Sequence, residues 1–586
     1  MNKYFLLITL IHLISSAFAQ GDVEIITESD RSIAPAYRIS SRPKTIDTTI
    51  YSPVVDYPYL VIQKETSFNV EEIKPATIKQ RAQLTQLYNG YAKIAGGNML
   101  MGLGEIYYNS SRSRKFNWGF HGKHLSEWGK IKKYAPAQYD ISNIKAFGKV
   151  EESRYSYGGQ LFYQNQGLHY YGFRNPNASK DSTLQRYQTI GFNGFFDSHR
   201  KDSAMFNYRI GVEYENFHGR KPKMDTLKDW YGRENYAALK TRWQYNATTN
   251  KLLSNLRADL DFSFNQYKYG VKGEHLINPY DSIFTALDTT YHPLDTGILS
   301  NDFIIYLRPV TSFYGVQGKL HFLIGGELAL DFGSKFRASL YPLAEVKYSL
   351  FNDIFIPYAG IKGGLKQQRY GSLAGRNEFI ASNVNLVNES QYEVHGGFKG
   401  TLSSSISFNT QFSYGHYRNR ALFVNDTIYS SGNKFGVIYD TLNIATISAS
   451  ISYQKNEKLK IDAIGRFHSY ETKNNPYAWN LPQFEVILRG YYNIFSKLIV
   501  RADVTLETGR YARMYDKTVE GVKMQDGIYY KKLGVLVDAN LGVEYRWSKR
   551  FSIFVEFNNL AAQKYQRWYE YPVSNFQFMA GLTFRF

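Results

Sequence analysis

Cysteine is absent from the 586 residues. Its absence excludes disulfides, thiolate metal sites, cysteine nucleophiles and lipid attachment through an N-terminal thioether. Long apolar runs are missing too, since no stretch beyond the N-terminal twenty residues approaches the ~18 apolar positions of a membrane-crossing helix. Basic residues outnumber acidic ones, 70 Lys+Arg against 51 Asp+Glu for a net charge of +19, yet no basic block exceeds a pair. Charge spread so evenly argues against a nucleic-acid partner. The chain also lacks a P-loop, HExxH, GxSxG and EF-hand loop. In HGKH, His121 and His124 lie three apart, so in a strand they point to opposite faces and cannot share an ion. No enzyme, catalytic residue, cofactor or metal site is expected.

What the chain has in abundance is aromatic side chains: 50 Tyr and 39 Phe bring the aromatic share to 16%. These residues favour strands and membrane-water interfaces. The start, MNKYFLLITLIHLISSAFAQ, sets Lys3 before an apolar run and ends it in Ala17-Phe18-Ala19, so residues 1–19 read as a secretory signal peptide. Residues 20–86 contain Pro35, Pro43, Pro53 and Pro58 with no sustained period; they read as an irregular periplasmic segment. From residue 87 to 586 the pattern is strand after strand.

The closing stretch FQFMAGLTFRF places Phe576, Phe578, Ala580, Leu582, Phe584 and Phe586 on one face and Gln577, Met579, Gly581, Thr583 and Arg585 on the other. VLVDANLGVEYRW alternates the same way, as does FSIFVEFNNL with Phe554 as its one misfit. In LIVRADVTLE the charges Arg501, Asp503 and Glu507 share a face, and in RADLDFSF so do Arg257, Asp259 and Asp261. Such ladders suit a wet lumen behind a lipid-facing wall, and they account for carboxylate-bearing strands such as GEIYYNS more simply than a hydrolase acid pair does. Short turns at 351–354, 401–405, 454–459 and 495–498 alternate with long polar loops near 269–301, 366–391, 417–443, 471–483, 509–533 and 561–575. The fold expected is all-β: a transmembrane antiparallel β-barrel of about 22 strands, with short periplasmic turns and long extracellular loops.

The C-terminal stretch 558–586, with Asn559-Leu560, Tyr565, Tyr571-Pro572 and Phe586, resembles that of TonB-dependent receptors. The signal junction and the Tyr/Asn-rich loops resemble proteins of the Bacteroidota. The resemblance implies an outer-membrane barrel that contacts outer-membrane lipid, and a terminal aromatic strand (Phe576, Phe578, Phe584, Phe586) read by the barrel-assembly machinery. It also implies a plug domain of well over a hundred residues, for which residues 20–86 are too few; a barrel lacking a full plug is therefore expected. Asp22, Val23, Glu24, Ile25, Ile26 and Thr27 resemble a TonB box, which would make TonB a partner. A lumen this wide needs filling by the N-terminal segment, by inward-folded loops or by a partner protein.

Loop segments that interleave aromatics with Arg and Lys supply the candidate contacts Trp230, Tyr231, Tyr417, Arg418, Tyr511, Arg513, Trp568 and Tyr569. The same residues could instead belong to an interfacial girdle. Two functions stay open: binding or passage of a solute across the outer membrane, or a plugless, non-transporting scaffold subunit of an assembly or secretion complex, or of a surface lipoprotein's complex.

Overall fold

The computed structural model describes residues 88–586 apart from 111–112, 114, 199–205, 221–230, 247–254, 271–297, 316–317, 334, 427–429, 431 and 516–517. The expected signal peptide, the 20–86 segment with Asp22 to Thr27, and Trp230 lie outside the described residues.

The wall opens with β1 (Gly90–Gly97), β2 (Met101–Asn109), β3 (Phe116–Glu127), β4 (Tyr139–Glu151), β5 (Tyr155–His169), β6 (Leu184–Ser198), β7 (Phe206–Arg220) and β8 (Tyr231–Tyr245). It continues through β9 (Leu256–Gly270), β10 (Ile298–Gly315), β11 (Leu320–Phe332), β12 (Phe336–Tyr348), β13 (Ile356–Lys366), β14 (Glu389–Ser403), β15 (Ile406–Asp426) and β16 (Lys434–Lys455). The circuit ends with β17 (Leu459–Thr472), β18 (Phe484–Ile494), β19 (Leu498–Thr508), β23 (Leu536–Arg546), β24 (Phe551–Asn558) and β27 (Gln577–Arg585). Loop strands β20 (Tyr511–Met514), β21 (Lys523–Gln525) and β22 (Ile528–Lys532) form a small sheet, and β25 (Gln566–Trp568) pairs with β26 (Tyr571–Pro572).

The 22 wall strands form one antiparallel sheet that closes where β1 pairs with β27, Tyr91 opposite Arg585 through Gly97 opposite Met579. This is the barrel expected from the alternation. Both chain ends of the sheet fall on the rim of short turns, Gly90 bonding Phe586. At the seam the backbones leave no room for side chains: a Cβ on Gly581 would come within 2.2 Å of the Ile94 carbonyl oxygen. Phe576, Phe578, Phe584 and Phe586 all face outward and exposed, as a lipid-facing strand requires.

Lumen-facing charges pair across neighbouring strands. Arg308 bridges Asp261 and Glu327, each at 2.5 Å; Arg242 meets Asp259 at 3.0 Å, and Lys93 meets Glu556 at 2.8 Å. Phe554, the misfit of the alternation, faces inward and is buried beside Ala95, Leu103 and Met579, with the Lys93 ammonium 4.0 Å above its ring.

One loop expectation is corrected. Most of 417–443 is strand, because β15 and β16 run past the rest of the wall as a long hairpin, leaving only the residues between Asp426 and Lys434 as its loop. Above the lipid both faces of this hairpin are packed, so Ala421, Leu422, Phe423 and Val424 are all buried and apolar-polar alternation is lost. Tyr417 and Arg418 therefore belong to β15, at a register shift where Asn419 takes φ 56°. Tyr231 likewise opens β8 instead of lying in a loop. The outer rim is uneven, for β1 and β2 are joined by only three residues, Asn98–Leu100.

Candidate functional site: an inward-folded segment at the outer mouth of the lumen

The lumen-facing side of β9 carries charges at Arg257, Asp259 and Asp261 but tyrosines at Tyr267 and Tyr269 nearer the outer rim, both buried. Their partner is the segment 367–388 between β13 and β14, which turns into the lumen around the helix Tyr370–Arg376. Tyr370, Leu373, Phe379, Ile380 and Val384 of this segment pack against Tyr187 of β6, Phe217 of β7, Tyr267 of β9, Phe435 of β16 and Tyr571 of β26. The chain thus carries its own inward lid, one of the three fillings the lumen was expected to need.

Charge fixes the near end of the lid. Arg369 reaches Glu215 at 2.8 Å and lies 4.0 Å over the Tyr236 ring. Glu234 accepts the Tyr370 and Gly371 backbone N–H groups at 2.6 and 2.9 Å, and Asn265 Nδ2 donates to it at 3.1 Å. A carboxylate there satisfies orphan donors of the helix and complements its dipole. Gly232, near this cap, leaves room for two rings: a Cβ would sit 2.9 Å from the Tyr267 hydroxyl and 3.0 Å from the Tyr370 ring, so a side chain there would push one of them aside.

Tyrosine hydroxyls fasten the rest. Tyr187 donates to the Glu378 carbonyl at 3.0 Å, Tyr170 to that of Ile380 at 3.0 Å, Tyr439 to that of Asn385 at 2.7 Å, and Tyr267 to that of Ser382. On the far side Ile380 forms a parallel bridge with Phe435, and the rings of Phe379 and Tyr571 stack at 3.7 Å. Burial pushes the Tyr170, Tyr370 and Tyr571 phenols well above their usual value, so they remain protonated donors.

Two cavities open on the lumen, and one of them borders the lid. One of about 440 Å³ lies beside Glu378 and Phe379 and brings Glu127, Asp538, Tyr139 and Tyr565 together. Burial raises the Glu378 carboxyl above the usual range, opposed by the Gln166 amide that donates to it at 2.8 Å. A second, of about 660 Å³, lies along the inner wall nearer the periplasmic rim, among Arg209, Lys240, Arg242, Glu213, Asp259 and Asp261. Among the described residues no group of three His, Cys, Asp or Glu could hold a metal.

The barrel resembles those of siderophore receptors. The pyoverdine outer membrane receptor FpvA of Pseudomonas aeruginosa PAO1 superposes with a TM-score of 0.62 at 13% identity, over 86% of this chain and 79% of that one. The siderophore receptor PirA of Acinetobacter baumannii gives 0.62 at 12%, over 86% and 81%. The ferric-catecholate import receptor Fiu of E. coli K12 gives 0.60 at 10%, over 85% and 82%. At these identities the likeness is one of fold. No family model and no curated protein sequence matches the chain.

The candidate contact residues do not form one surface. Trp568 joins the lid cluster, 5.4 Å from both Phe423 and Phe435. Tyr569 is buried in a separate cluster with Ala512, Met514 and Leu533. Tyr511 stacks on Tyr477 at 4.1 Å, and Arg513 lies buried with its guanidinium 5.3 Å from the Tyr515 ring. Tyr417 donates to Glu393 at 3.0 Å, while Arg418 is exposed with Nε 3.3 Å from His416. The lid residues were not among the sequence candidates. Their one sequence signal was the change from charges to tyrosines along the inward face of β9.

Proposed function

We propose that this chain is an outer-membrane receptor-type barrel that binds a solute in the outer half of its lumen and admits it when the 367–388 lid moves. The observation that carries this reading is the lid itself: a separate segment folded into the lumen, held by an apolar cluster, the Glu234 cap, tyrosine hydroxyls and the Arg369–Glu215 pair, beside a cavity sized for a small ligand. Likeness to siderophore receptors supports solute uptake as the class.

In this reading the lid closes part of the outer mouth, and Asp22 to Thr27 engage TonB. The terminal strand is read by the barrel-assembly machinery, and a surface lipoprotein is a compatible partner.

The test exchanges residues 370–386 for a Gly/Ser linker in the full chain, followed in planar bilayers and in cells. The expected result is a large ohmic conductance where the unaltered protein is nearly closed, with new sensitivity to antibiotics that the outer membrane normally excludes. Equal conductance of the two proteins overturns the lid. Stoichiometric copurification with assembly or secretion subunits overturns solute passage in favour of the scaffold.

A further inference from the structure

The outward face of β6 to β10 changes character toward the outer rim. Ile190, Phe192, Val212, Leu239 and Phe264 are exposed there as a lipid-facing wall. Next comes a chain of amides running from strand to strand: Asn216 Nδ2 donates to Asn235 Oδ1 at 2.5 Å, Asn235 Nδ2 to Gln266 Oε1 at 3.4 Å, and Gln266 Nε2 to Asn301 Oδ1 at 3.1 Å. Each amide satisfies the next, so the row is tolerated at the edge of the hydrocarbon.

One step closer to the rim on the same face, His218, Arg233 and Lys268 are register partners on β7, β8 and β9. Arg233 and Lys268 are exposed and stand directly opposite each other. Among the described residues neither has a carboxylate partner, and the next outward positions inward along their strands are the uncharged Asn235 and Gln266. Asp140, outward on β4, is engaged by Arg186 at 3.3 Å. Like charges set opposite across a ladder repel, which disfavours the pair unless an anion lies between them.

We propose that Arg233 and Lys268 form a docking site for the phosphates of a lipid headgroup in the outer leaflet. A guanidinium offers a planar fork that matches phosphate oxygens, and the ammonium beside it adds a point charge. Set just outside an amide row that borders the apolar wall, the two cations stand at headgroup level. The proposal rests on the outer-membrane reading of the barrel and is independent of any solute.

Native mass spectrometry of the detergent-solubilised full chain with bisphosphorylated lipid A, and with its monophosphorylated form, tests it. The unaltered protein should retain one bisphosphorylated lipid, and the monophosphorylated form should bind more weakly. The doubly substituted R233Q/K268Q protein should lose about tenfold in affinity, while K455Q, which removes an exposed lysine at the opposite rim, should bind as the unaltered protein does. Heat-modifiable migration on gels shows that each variant is folded. Equal binding by R233Q/K268Q, an equal loss in K455Q, or no adduct with the unaltered protein overturns the proposal.

Discussion

Glu234 of β8 anchors the lid from the wall, because one carboxylate caps the lid helix, receives Asn265 and faces Arg369. Replacing it with Gln keeps the shape but weakens the charge-assisted bonds, and replacing it with Ala orphans two backbone donors. Glu234→Ala should destabilise the closed lid by about 1–3 kcal/mol, read as a rise in open probability in planar bilayers with barrel melting nearly unchanged. The Tyr187→Phe, Tyr170→Phe and Tyr439→Phe changes should each cost about 1 kcal/mol of closure. Protease access to 367–388 would rank them, and a series with no increase over the unaltered protein would show that the hydroxyls do not hold the lid. None of these roles was legible in the sequence, for Glu234 sits 136 and 137 positions from the backbone donors it caps. The stretch that holds it reads as loop in the sequence, and the structure makes it the start of β8.

At the scale of elements, period-two alternation sufficed wherever one face meets lipid and the other a wet lumen, and there it placed β19, β23, β24 and β27 correctly. It failed above the membrane, where β15 and β16 are packed on both faces and their tips read as loop. The seam gives a sharper test. Because Gly581 has the Ile94 carbonyl oxygen within 2.2 Å of where its Cβ would stand, Gly581→Val should block pairing of β27 with β1. Heat-modifiable migration should be lost, whereas Gly104→Val, at a position with nothing within 4 Å of its Cβ, should retain it.

For the whole molecule, closure, strand number and the alternation of short turns with longer loops could be inferred from residue pattern, since lipid and water impose them on every strand alike. What occupies the mouth could not, because it depends on contacts between segments remote in sequence, such as Arg369 with Glu215 and Phe379 with Tyr571. The unevenness of the wall has a mechanical consequence. β1 has only 8 residues and β27 only 9, against 21 and 22 in β15 and β16. With a rise of ~3.4 Å per residue and a tilt near 40°, β1 climbs only about 20 Å, short of an apolar band of about 25 Å. Lipid beside the seam must compress to meet it, an elastic cost that grows with acyl-chain length. Insertion should therefore be most complete in vesicles of short-chain lipids and fall as the chains lengthen, with the seam as the last part of the circuit to close.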